Sequence, residues 1–235
     1  MRTVLKYFCV AFLLCFASHN TSSAQSLDGK KVREKCLSAV VVVSTYYGTG
    51  TGFFINENGY LITNKHVVTD DNGYIVRPET ITIYTINGMK FTVSEVSVPT
   101  EYPGIDIAVL KVNAMNTDYL PLLPQAEQAG EDVVAIGHPN RDWWNISKGV
   151  VSHDDTKDVY MLQHDVATDE GNSGGPLINK NGQVVGVVTA YKHMRDNSGN
   201  VKVQETGKLA TKISYVKNHL NSRGIKFYTN QLIAD

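Results

Sequence analysis

The segment Gly171-Asn172-Ser173-Gly174-Gly175-Pro176 sets a hydroxyl between glycines on both sides. Glycine carries no Cβ, so a turn of this composition lets backbone N–H groups converge near the serine with no side chain in the way. The amides of Gly171 and Ser173 are then candidate donors to the oxyanion that forms when Ser173 attacks a carbonyl. Losing one such donor slows acyl transfer by roughly 10²–10³. The same residues also fit a glycine-rich hairpin with a solvent-facing serine.

A serine hydroxyl is a weak nucleophile near neutral pH and needs a base, which in turn needs a group to orient it. His66 stands in Leu61-Ile62-Thr63-Asn64-Lys65-His66-Val67-Val68, just beyond an apolar run, which places it at a strand end facing a groove. Asp106 interrupts the run Ile105-Asp106-Ile107-Ala108-Val109-Leu110. A carboxylate set among apolar residues is costly unless paired, and a histidine N–H is a suitable partner. Taken singly, His66 also reads as a structural or exposed histidine, and Asp106 as an edge-strand residue facing solvent. His138, His153, His164 and His193 lack the tight spacing of metal ligands and are assigned structural roles.

The elements that must position these groups are short β-branched runs separated by Gly, Asn and Asp turns. They run over 39–43, 52–55, 60–63, 81–86, 90–96, 105–112, 132–136, 149–152, 160–163, 176–178 and 184–190. Asn87-Gly88 marks a two-residue hairpin between the fourth and fifth. Only Lys30–Leu37 and Ser214–Ser222 read as helices, the second with Ser214 as N-cap and Gly224 as stop. The pattern predicts an all-β sandwich or barrel, read as one unit of two barrel lobes, with no internal repeat or proline-rich linker.

In sequence order, Asn64-Lys65-His66-Val67-Val68, Asp106-Ile107-Ala108-Val109-Leu110 and Gly171-Asn172-Ser173-Gly174-Gly175-Pro176-Leu177 resemble the chymotrypsin-fold proteases, in the wording of their HtrA/Deg branch. Gly48–Phe53, Ala135–Pro139 and Gly182–Val187 extend the likeness from about Val40 to Leu220. The resemblance implies two six-stranded antiparallel β-barrels with a C-terminal helix, and a serine endopeptidase. Ser173 would be nucleophile, His66 general base, Asp106 its orienting partner, and the amides of Gly171 and Ser173 the oxyanion hole. It further implies that Ala167, Thr168, Val188, Thr189, Ala190 and Tyr191 bind substrate, the last four on a strand that pairs with the substrate backbone. Glutamyl endopeptidases of this superfamily pair a threonine like Thr168 with a histidine where this chain has Val188. The expected preference is therefore for small to medium uncharged side chains. The polar loop Lys192–Lys208 reads as a surface excursion or as an activation loop beside the pocket. The resemblance also raises a homotrimer, and the chain leaves no room for the PDZ domain that such proteases carry.

Arg2, Lys6, the apolar stretch Phe8–Ala17 and the small residues Ser22-Ser23-Ala24 read as an export signal over residues 1–24. The expected organisation is then an N-terminal segment 25–39, the protease domain 40–222 and a tail 223–235. Cys9 and Cys15 leave with the leader, so Cys36 alone remains and no internal disulfide forms. Hydrophobic residues make up 42% and charged residues 19% of the 235 residues, with a net charge of -1. That composition excludes wholesale disorder, and a nucleic-acid partner would require a local basic patch. The expected partners are protein and peptide substrates rather than nucleic acid, with no membrane span after signal cleavage. No cofactor or metal is expected, and the product is placed in the periplasm or outside the cell. The alternative function is a chaperone-like relative that holds unfolded segments, with latent or single-target proteolysis.

Overall fold

The computed structural model describes residues 28–233, apart from 103, 127, 140–142, 155–158, 190–192, 196–200 and 204–207; 193–195 and 201–203 are described as backbone. The proposed leader, Ala190, Tyr191 and most of the 192–208 loop therefore lie outside the described residues.

Strands β1 (Val40–Ser44), β2 (Thr49–Phe54), β3 (Tyr60–Thr63), β4 (Thr82–Thr85), β5 (Lys90–Ser97) and β6 (Ala108–Val112) close an antiparallel barrel in the order β1-β2-β3-β6-β5-β4. A second barrel follows from β7 (Asp132–Gly137), β8 (Asn145–His153), β9 (Met161–His164), β10 (Pro176–Asn179), β11 (Val184–Thr189) and β14 (Lys208–Lys212), ordered β10-β11-β14-β9-β8-β7. Between β11 and β14, strands β12 (His193–Arg195) and β13 (Val201–Val203) pair with each other. The expected two-barrel all-β fold is what the chain adopts. β4 and β5 join through Ile86-Asn87-Gly88, with the Thr85 N–H on the Met89 carbonyl at 3.0 Å, so the hairpin loop is longer than the Asn87-Gly88 pair.

Burial explains why the barrels hold together. Val41, Val43, Phe54, Leu61, Ile83 and Leu110 fill the first barrel. A second core runs through both barrels, joining Phe53, Ile62 and Val109 to Val134, Leu177 and Val188. Each fully buried side chain of this size contributes about 1.5–3 kcal/mol.

Helix α1 (Gly29–Cys36) is capped by the Asp28 carboxylate, which accepts from the Lys30 and Lys31 N–H groups at 3.0 and 3.4 Å, and it buries Val32 and Cys36 in the shared core. Helix α2 (Ile213–Ser222) starts one residue before the expected cap. Lys212 takes the N-cap position without a side-chain hydrogen bond, and Ser214 lies inside the first turn. The helix begins directly off β14, and Ile213, Val216 and Leu220 bury against the shared core. The closing segment is also held. The Leu122 N–H donates to the Tyr228 carbonyl at 2.7 Å, Asn56 Nδ2 to the Lys226 carbonyl at 2.7 Å, and Gln183 Nε2 to the Thr229 carbonyl at 2.9 Å. Among the described residues, no helix is long and apolar enough to cross a membrane.

Cys36 is fully buried, and burial pushes its thiol up to about 12. Because the thiolate is the reacting species, the native protein is expected to resist an aromatic disulfide reagent at pH 8 and to react at once in denaturant. Stoichiometric labelling of the native protein would contradict this packing.

Candidate active site

The base and its partner come from the first barrel. After β3 the chain passes Asn64 and Lys65 and enters a tight 3-10 turn over His66–Val68. The His66 N–H donates to Asp106 Oδ1 at 2.9 Å, while Nδ1 lies 2.6 Å from Asp106 Oδ2. Both carboxylate oxygens are thus engaged by one residue. A carboxylate accepts here, so Nδ1 carries the proton and Nε2 is left as an acceptor facing the cleft. The His66 side chain is 47% exposed and Asp106 24%, so Asp106 is half-buried just ahead of β6 between the buried Ile105 and Ile107.

The serine comes from the second barrel. The Asn172 N–H donates to the Asp169 carbonyl at 3.0 Å, closing a turn whose third residue, Gly171, has φ +93°. Positive φ at that position is the type II geometry, which favours glycine. Gly174 has φ +85°, and a Cβ there would strike the Thr51 carbonyl and Thr63 Oγ1. The Gly174 N–H donates to the Val188 carbonyl at 2.9 Å and the Val188 N–H to the Gly175 carbonyl at 2.8 Å, docking the turn on β11. Among the described residues, the amides of Gly171 and Ser173 have no hydrogen-bond acceptor.

Two residues without an assigned role in the sequence reading join the halves. Thr51, on β2, donates its N–H to the Ser173 carbonyl at 2.9 Å and its hydroxyl to the Gly171 carbonyl at 2.6 Å, and its own carbonyl accepts from Thr63 Oγ1 at 2.7 Å. Asn64 is fully buried and reaches the Asp106 carbonyl at 2.7 Å and Thr189 Oγ1, on β11, at 3.3 Å. The local motifs hinted at neither set of contacts, because the partners lie between 12 and 125 residues away along the chain.

His66, Gly171 and Ser173 line one cleft of about 390 Å³ together with Tyr47, Thr49 and Glu170. Of the expected substrate-binding residues, Ala167 is exposed, Thr168 and Val188 are buried at 9% and 2%, and Thr189 is half-buried. Lys208 Nζ donates to the Thr168 carbonyl at 2.7 Å. Among the described residues, no group of three His, Cys, Asp or Glu side chains is arranged to hold a metal.

Two other histidines are sequestered. His138 accepts from the Trp144 N–H on Nδ1 at 3.0 Å and packs against the rings of Trp143 and Trp144, while a Cβ at Gly171 would strike its carbonyl. His164 is 1% exposed; among the described residues its ring nitrogens make no side-chain hydrogen bond, and the Leu209 backbone favours its protonated form. Desolvation pulls both imidazoles down to about 4.

A model of the trypsin-like peptidase domain matches residues 50–187. A Chlamydia trachomatis protein named "Probable periplasmic serine endoprotease DegP-like" is 37% identical over 148 residues, covering 60% of this chain and 28% of its own length. A Pseudomonas putida protein of the same name is 38% identical over 144 residues, 59% of this chain and 28% of the relative. The chain thus spans little more than a quarter of the length of these relatives. The crystal structure of a serine endoprotease from Yersinia pestis shares the fold, with a TM-score of 0.66 at 24% identity, covering 84% of this chain and 66% of that one.

The buried histidines set a pH response. An unfolded histidine takes up a proton near pH 6.5, whereas His138 and His164 stay neutral in the folded protein until about pH 4. The unfolded state therefore binds more protons between these values, and stability is expected to fall as pH drops from about 6.5 to 4. Two imidazole resonances titrating near pH 4 by NMR would support this, and none below pH 6 would contradict it.

Proposed function

The chain belongs to the trypsin-like peptidase family, and on that premise we propose that it is a serine endopeptidase acting through Ser173, His66 and Asp106. The observation that carries the reading is the double engagement of Asp106 by His66, at 2.9 and 2.6 Å, with His66 lining the same cleft as Ser173. Ser173 Oγ attacks the scissile carbonyl while His66 Nε2 accepts its proton. Asp106 holds the Nδ1 tautomer and stabilises the imidazolium that results. The oxyanion is received by the amides of Gly171 and Ser173, which the positive φ of Gly171 helps to present. His66 then passes the proton to the leaving amine, the acyl group remains on Ser173, and a water activated by the same imidazole releases it.

Substrate is held partly through its backbone, by pairing alongside the end of β11 at Thr189, which favours extended or unfolded segments. The periplasmic relatives support export to the periplasm or beyond.

With unfolded casein as substrate, Ser173→Ala and His66→Ala are expected to abolish cleavage. Asp106→Asn is expected to lower turnover by about 10⁴ while leaving the fold intact. Equal amounts of intact casein with wild type and Ser173→Ala would overturn the endopeptidase reading.

A further inference from the structure

Beside the expected substrate-binding residues Thr168 and Val188, the strand pattern brings two basic side chains together. His164 on β9 pairs with Lys208 on β14, so both side chains leave the sheet on one face. Ala210 lies two residues along that face, and Val188 on β11 pairs with it. Val188 is the strand residue bonded to the nucleophile turn through Gly174 and Gly175. The Lys208 ammonium reaches back to the Thr168 carbonyl at 2.7 Å, five residues before Ser173. Among the described residues that carbonyl is its one hydrogen-bond acceptor, and an ammonium has three N–H groups to give.

His164 presents the complementary puzzle. Its ring is buried with no side-chain hydrogen bond among the described residues, and a polar group so placed in a native protein calls for a reason. Desolvation, with Lys208 nearby, keeps the ring neutral at pH 7 although the Leu209 backbone and Asp165 favour the proton, so the ring holds a single N–H. The adjacent Asp165 is exposed, and its Oδ1 accepts from the Val150 N–H at 2.6 Å.

Val188 in place of a histidine argues on sequence grounds for an uncharged pocket, because a substrate carboxylate buried there lacks compensation. Lys208 and His164 supply that compensation from the neighbouring strands. Resting on the endopeptidase reading, we propose that the site selects an acidic residue, glutamate in particular, on the acyl side of the scissile bond. Lys208 acts as the counter-charge and His164 as a hydrogen-bond donor to the same carboxylate.

The test compares fluorogenic peptides that differ only in Glu, Gln or Leu at that position. The wild type is expected to show kcat/KM at least tenfold higher for Glu than for Gln. Lys208→Met is expected to bring the ratio to one or below, Lys208→Arg to keep it, and His164→Phe to reduce it partway. A wild-type ratio of one or less, or an unchanged ratio in folded Lys208→Met, overturns the proposal. Anisotropy of labelled decapeptides with the Ser173→Ala protein reads binding without catalysis. There, about tenfold tighter binding of the Glu peptide supports the acidic site even if the wild type cuts nothing, an outcome that would overturn the endopeptidase reading alone. Equal affinity for Glu and Gln peptides overturns the acidic site.

Discussion

Everything about the candidate site depends on two barrels meeting through a few buried hydrogen bonds. The Ser173 turn belongs to the second barrel and the His66–Asp106 pair to the first, so neither barrel holds the candidate site alone. Thr51 holds the turn through two carbonyls, of Gly171 and Ser173, and Asn64 ties the Asp106 backbone to Thr189. Removing one partner strands a buried donor or acceptor at about 1–3 kcal/mol. The close approach is possible because Gly174 leaves room for the Thr51 carbonyl and the Thr63 hydroxyl. Geometry at the cleft is therefore set by packing remote from it, chiefly the apolar core shared by both barrels.

The same fold keeps its histidines in contrasting environments. His66 is half-exposed, and a carboxylate fixes the orientation of its ring. His138 and His164 are buried, and desolvation keeps them neutral. His219, on α2, lies between Glu101 Oε1 and Ser97 Oγ, each at 3.1 Å, and so fastens the closing helix to the segment leading into Asp106. Burial and partner, rather than residue type, decide what each imidazole is fitted to do.

Much of this was legible in the amino-acid sequence because its determinants are local. The glycines around Ser173, the β-branched runs of the strands and the apolar neighbours of Asp106 all speak within a few residues. What stayed hidden depends on partners far along the chain. The Thr51–Gly171 contact spans 120 residues, and nothing near Thr51 announces it. Lys208 read as the end of a polar loop, yet it opens β14 and points to Thr168 because of strand pairing with β9 and β11. Ser214 had the right residue type for a helix cap, but the chain enters α2 directly from β14, and tertiary packing of Ile213 overrides the local preference.

The central claim is that groups from two barrels make one hydrolytic centre on Ser173, and a fluorophosphonate probe tests it most directly. Such a probe phosphonylates only a serine made nucleophilic by its surroundings. Mass spectrometry of the digested protein is expected to find a single adduct on Ser173, lost when His66 is replaced by alanine. No adduct on the folded wild type, or an adduct on Ser173 that forms equally fast without His66, would contradict the account.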